Sequence, residues 1–89
     1  MASVQMDGML KQFVPELKVT TDAVTVRGLL DDLETRFPRL KMRLRDETGT
    51  VRRFVNVYVN GEEIRGLSGL DTPVGASDRV DILHSIQGG

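Results

Sequence analysis

Few residues of this chain are equipped for covalent chemistry. The 89 residues include no cysteine and one histidine, His84. That removes a thiolate nucleophile, a disulfide framework, a zinc-thiolate site and a side-chain persulfide. A lone histidine cannot supply a multi-histidine metal site, so no metal is expected. Hydroxyls, carboxylates, amines and the chain terminus remain. The last residues read His84-Ser85-Ile86-Gln87-Gly88-Gly89, two bare glycines directly after what reads as a core strand. Glycine has no Cβ, so Gly88 and Gly89 can thread a narrow channel and take backbone angles closed to other residues. The stretch from Ser85 to Gly89 reaches roughly 17 Å when extended. That length enters a neighbouring active site while the folded body stays outside. The plain alternative is a frayed terminus. His84 and Ser85, adjacent at a strand end, point to opposite sides, which argues against a Ser/His pair. Lys11, Lys18 and Lys41 could accept a conjugated modifier, and nothing in the sequence marks any of them out.

The elements that must position this terminus follow from periodicity. The chain is 39% hydrophobic and 28% charged, with net charge −1, the balance of one small globular domain. With only Phe13, Phe37, Phe54 and Tyr58 as aromatics, aliphatic residues must fill the core. The near-zero charge argues against bulk attraction to nucleic acid or an anionic membrane. No apolar run approaches the ~20 residues of a membrane span, and the N-terminus lacks a signal peptide's apolar region. A cytosolic location is expected. Alternation predicts strands at 3–7 and about 16–20, forming an opening hairpin, with residues 9–15 lacking a clean period. Val26, Leu29, Leu30, Leu33 and Phe37 share one face of a helix over 25–37, with Thr25 as N-cap, ahead of Asp22, and Pro38 as its stop. Gly28 inside that helix suits close packing on a sheet. A further helical turn at 39–45 and a loop at 46–50 follow.

Residues 52–60 make the best strand. Val55, Val57 and Val59 face the core, and Phe54, Asn56 and Tyr58 face away. Asn60-Gly61 signals a tight hairpin turn, since both positions tolerate φ > 0. A short return strand at 62–65, a loop at 66–76 with a helical turn near Leu70-Asp71, and a last strand at 79–84 complete the chain. In that last strand Val80 and Ile82 point inward, Asp81 and Leu83 outward. One amphipathic helix can bury its leucines only across one face of the sheet. The expected class is α+β: a β-grasp, ubiquitin-like mixed sheet of four to five strands on one main helix, with a domain over 1–84 and a flexible tail over 85–89.

At Arg53-Phe-Val-Asn-Val-Tyr-Val-Asn-Gly61, continued by Glu-Glu-Ile-Arg65 and Gly69-Leu-Asp-Thr-Pro73, the sequence resembles the MoaD/ThiS family of ubiquitin-like sulfur carriers. It looks closest to the branch with the mycobacterial cysteine-biosynthesis carrier and the archaeal small modifiers. The terminal Gly88-Gly89 is that family's functional mark. Two departures stand out. Ser77-Asp78 occupies the place of the family's Gly-Asp, and Ile86-Gln87 precedes the glycines where the family usually carries Pro-Ala- or Pro-Val-type residues. The resemblance implies a protein cosubstrate rather than an enzyme. An adenylating, ubiquitin-activating-like enzyme uses ATP to activate the Gly89 carboxylate. Sulfur from a sulfurtransferase or persulfide donor makes it a thiocarboxylate, and a downstream synthase accepts that sulfur. No cofactor is bound to the carrier itself. Ile86, Gln87 and Gly88 form the tail that the enzymes grip. The same resemblance admits a conjugating modifier that joins lysines through Gly89, and the small subunit of molybdopterin synthase.

Two surface features bear on partners. Phe54, Tyr58 and Leu83 are expected on the sheet face away from the helix, as an apolar docking patch or as ordinary cross-strand packing. Seven of the twelve basic residues, Arg36, Arg39, Lys41, Arg43, Arg45, Arg52 and Arg53, lie between positions 36 and 53. The one aromatic interleaved among them, Phe37, belongs to the core face of the helix, so a solvated rim or a protein-docking edge is favoured over nucleic acid.

Overall fold

The computed structural model describes residues 1–16 and 18–84, so the predicted tail, Ser85 to Gly89, and Leu17 of the second predicted strand lie outside it. Five strands form one mixed sheet: β1 (Ala2–Met6), β2 (Val19–Thr21), β3 (Val55–Val59), β4 (Glu62–Glu63) and β5 (Arg79–His84), in the order β2-β1-β5-β3-β4. The last strand is therefore central. β5 runs parallel to β1, with Val4 opposite Val80 and Met6 opposite Ile82. It runs antiparallel to β3, with Val55 opposite His84 and Val59 opposite Val80. The single α-helix, α1 (Val26–Arg36), crosses one face. This is the expected β-grasp architecture.

Alternation explains the layers. Val4 and Met6, Val55, Val57 and Val59, and Val80 and Ile82 are all buried, as are Val26, Leu29, Leu30 and Leu33 of α1. Each buried leucine contributes about 1.5–3 kcal/mol from burial. Thr25 caps α1 as expected: its Oγ1 accepts the Gly28 N–H at 3.1 Å. Gly28 does not lie against the sheet. A Cβ placed there would meet the Ala23 Cβ and the Thr25 Oγ1, each at 3.5 Å, so its place is beside the loop that enters the helix.

The structure shortens several predicted strands. Gly8–Phe13, which overlaps the stretch 9–15 that lacked a clean period, forms a 3-10 helix with Leu10 and Phe13 buried. β3 starts at Val55 rather than Arg52, because Val55 N–H closes a turn onto Arg52 C=O at 3.0 Å. β4 has two residues, and Ile64–Gly66 continues as a 3-10 turn. Arg65 replaces the missing edge pairing, its Nη2 donating to the carbonyls of Arg52 (3.1 Å) and Val55 (3.0 Å). Asn60 and Gly61 take positive φ, 51° and 87°, as the turn between β3 and β4 requires. After α1 the chain makes a short 3-10 turn at Pro38–Leu40, burying Leu40 and Leu44. Arg45 ties this segment to the helix, donating to both carboxylate oxygens of Glu34 (3.0 and 2.9 Å) and to Asp31 (2.7 Å).

Candidate functional site

The predicted reactive group, the Gly89 carboxylate, and the tail residues Gly88, Gln87 and Ile86 lie outside the described residues. What the fold fixes is where the chain reaches them. β5 is central and its last residue, His84, sits opposite Val55. The β1 end lies on its other side, with Asp7 N–H donating to Ile82 C=O at 3.2 Å. Gly8 follows with φ +63°, and a Cβ there would lie 3.7 Å from the His84 carbonyl oxygen. A shallow groove of about 290 Å³ at this end is lined by Asp7, Gly8, Asn56, Leu83 and His84. The side chain of His84 follows the parity of Val80 and Ile82 and is half-buried; Ser85, its sequence neighbour, lies outside the described residues.

The sheet face opposite α1 carries the residues whose parity alternates with the core. Tyr58 and Leu83 meet there. Tyr58 pairs with Asp81 and Asn56 with Leu83, so the tyrosine and the leucine are diagonal neighbours across β3 and β5. Together with Gln5, Asp7, Gly61, Arg79 and Asp81 they line a groove of about 350 Å³. Both are half-buried. Arg79 Nε donates to both Asp81 oxygens, at 3.3 and 3.1 Å, so the groove floor is mixed: an apolar pair beside an internally neutralised ion pair.

Phe54 stands apart from that pair. It precedes β3, is 37% exposed, and is not among the residues lining the groove. The turn at Arg52–Val55 leaves Phe54 ahead of the strand rather than within it. The guanidinium carbon of Arg53 lies 5.5 Å from its ring centroid. Gln5, Asp7, Arg79 and Asp81 were not singled out in the sequence as site residues. Their parity relative to Val4, Met6, Val80 and Ile82 is the signal that places them on this face.

One clamp fixes the entry to β5. Asp78 accepts from Gly75 N–H at 2.7 Å and from the Asn60 amide at 2.9 Å, and Asn60 Oδ1 accepts from Arg79 N–H at 2.9 Å. These bonds hold the Asp78 carboxyl below its ordinary pKa, the Gly75 N–H contributing most and the Asn60 amide next. The departure noted at Ser77-Asp78 therefore keeps the carboxylate that sets the register of β5 against the Asn60-Gly61 turn.

With this geometry in place, comparison with known proteins is informative. A family model described as the ThiS family matches residues 7–89. The sulfur carrier protein CysO of Mycobacterium tuberculosis is 37% identical over 73 residues, 80% of this chain and 78% of that protein. Small archaeal modifier protein 3 of Haloferax volcanii is 37% identical over 68 residues, 76% of this chain and 73% of that protein. Among solved structures, one from the BexX/CysO complex of Amycolatopsis orientalis superposes with a TM-score of 0.87 at 34% identity, covering 100% of both chains.

Proposed function

The chain belongs to the ThiS family and is a CysO-like sulfur carrier protein, and from that premise we propose that its working group is the α-carboxylate of Gly89. Relatives of this kind are small ubiquitin-like carriers rather than enzymes, so this chain is a cosubstrate of its partners. A carboxylate at neutral pH resists attack by sulfur until one oxygen becomes part of a leaving group. An adenylating enzyme of the ubiquitin-activating type supplies that step with its own ATP. A Gly89 oxygen attacks the α-phosphorus, pyrophosphate departs, and an acyl-adenylate forms. The terminal sulfur of a persulfide, carried by a sulfurtransferase, attacks the acyl carbon and AMP leaves. A second thiol takes the donor's sulfur into a disulfide and frees the thiocarboxylate. A cytosolic synthase then accepts the sulfur, and water restores the carboxylate.

The observation that carries this reading is the extent of the family match, which runs on to residue 89. Two features support it. The sequence has no cysteine, so no side-chain thiol competes for the transferred sulfur. The last described residue ends the central strand, so a pull on the tail bears on the best-anchored element of the sheet. Ile86, Gln87 and Gly88 would lie in the partner's channel, with Tyr58 and Leu83 on the open face, and Phe54 apart from them ahead of β3, as docking residues.

The test is intact-mass analysis after incubation with ATP, an adenylating enzyme from the same organism and a persulfide donor. The expected product gains the mass of sulfur replacing oxygen, and a chain lacking Gly88 and Gly89 gains nothing. An unchanged terminus under conditions that consume ATP would sink the proposal. The Haloferax relative, named a modifier, favours one rival outcome: lysine side chains of other proteins bearing this chain through an isopeptide bond.

A further inference from the structure

The end of the fold from which β5 departs holds Asp7 in its groove and, around it, arginines that form no ion pair among the described residues. Arg39 and Arg43 both lie over Phe13, their guanidinium carbons 4.9 and 4.2 Å from its ring centroid. Phe13 closes the 3-10 helix that begins at Gly8, beside the His84 carbonyl. Arg53 and Phe54 precede Val55, the residue paired with His84. These segments thus converge on one end of the sheet. Among the described residues, Arg27, Arg36, Arg45, Arg65 and Arg79 form ion pairs, whereas Arg39, Arg43, Arg52 and Arg53 form none, Arg52 donating instead to the Met42 carbonyl. Among the described residues, three of the six exposed large apolar side chains, Met9, Met42 and Phe54 at 52%, 49% and 37%, sit in the same three segments.

Arginine, methionine and aromatic residues together are the composition enriched at protein interfaces. Nucleic acid fits less well. Phe13 is buried beneath two guanidiniums and a third lies over Phe54, so at most one ring has a face left for base stacking. Net charge is −1, so attraction is confined to this end. A charge cluster localised where a chain must be delivered steers approach and orientation.

We propose that Arg39, Arg43 and Arg53, with Met9, Met42 and Phe54, form a docking collar around the end of β5, and that its occupant is an acidic, apolar-studded face of the enzyme that receives the tail. The collar is distinct from the open-face groove of Tyr58 and Leu83. It rests on the proposed use of Gly89, and it adds that the enzyme's channel mouth is negatively charged.

The test compares the wild-type chain with the triple variant Arg39→Glu/Arg43→Glu/Arg53→Glu, using the adenylating enzyme employed for the mass assay. Affinity is measured by calorimetry at low and high salt, and loading of Gly89 by intact mass. The triple variant should bind about 10-fold or more weakly at low salt, with the difference shrinking near 1 M salt, where the Debye length is about 3 Å. At saturating carrier its loading rate should approach that of wild type. The variant Arg39→Lys/Arg43→Lys/Arg53→Lys should bind close to wild type, and Arg27→Glu, at the opposite end beside Asp71, should bind as wild type does. Urea midpoints of all variants control for folding. Equal affinity of the Glu variant and wild type overturns the collar while leaving the Gly89 chemistry intact. An equal loss in the Lys variant overturns its electrostatic basis. Loss of binding to a single-stranded oligonucleotide, with enzyme affinity unchanged, would assign the patch to nucleic acid instead. A wild-type chain that is neither bound nor loaded overturns both proposals.

Discussion

Asp78 is a surface carboxylate with a structural task. It accepts from the Gly75 backbone and the Asn60 amide, and so joins the turn before β5 to the turn after β3. Both bonds favour its ionised form, the Gly75 N–H most. Its folded pKa is depressed, so its contribution to stability is complete above the unfolded carboxylate value of about 3.9 and fades as pH falls through the folded value. The expected outcome is that Asp78→Ala lowers the urea midpoint at neutral pH, and that the gap from wild type narrows below about pH 4. A gap independent of pH would show that the carboxylate's charge is irrelevant there. Asp46 shifts in the same direction, chiefly through the Thr48 hydroxyl, so the variant keeps part of the acid sensitivity.

The helix shows how little local propensity decides once packing is available. Gly28 is the third residue of α1, within reach of the Thr25 cap. Because an added Cβ finds only ordinary contacts at 3.5 Å, the backbone cost of glycine has no compensating close approach. Gly28→Ala is expected to raise stability by up to about 1 kcal/mol, which moves the thermal midpoint upward by a few degrees in a domain of this size. The cap bond survives, since it uses the backbone N–H. A lower midpoint would mean that the loop at Ala23 cannot yield. The opposite end of α1 is secured differently, by the two-pronged pairing of Arg45 with Glu34, whose side chains are 11% and 16% exposed. The burial of both partners fixes the 38–45 segment, and with it the bases that crown the tail end.

Across the molecule, the sheet divides labour between its faces. One is closed by α1. The other presents Tyr58 and Leu83 in a groove with Gln5, Arg79 and Asp81. If that groove receives the partner enzymes, Tyr58→Ala and Leu83→Ala should each weaken binding of the adenylating enzyme severalfold to tenfold or more. Their urea midpoints should change far less than for a buried residue such as Leu30. A fall in stability without loss of affinity would assign the pair to cross-strand packing. The collar and the groove meet at the end of β5, so a partner gripping both would hold the body at two points while the tail is worked on.

The periodicities of valine in 55–59 and 79–84 and of leucine in 26–33 determined the strands, the helix and the side each buries, because those patterns have one low-energy arrangement around a small aliphatic core. Thr25 and Asn60-Gly61 were likewise legible, since capping and tight turns depend on neighbours within a few residues. The short lengths of β3 and β4 were not, because a turn at Arg52 and the reach of Arg65 across the edge compete with strand pairing, and alternation carries no sign of that contest. Phe54 accordingly lies ahead of the strand it was assigned to and outside the groove of Tyr58 and Leu83. The basic run from 36 to 53 holds one aromatic, the core-facing Phe37, yet packing brings a second, Phe13, distant in sequence, beneath Arg39 and Arg43. Which charges remain free, and around which chain end they gather, depends on contacts between segments far apart in the chain; a one-dimensional pattern does not encode that distance, so only the folded arrangement decides it.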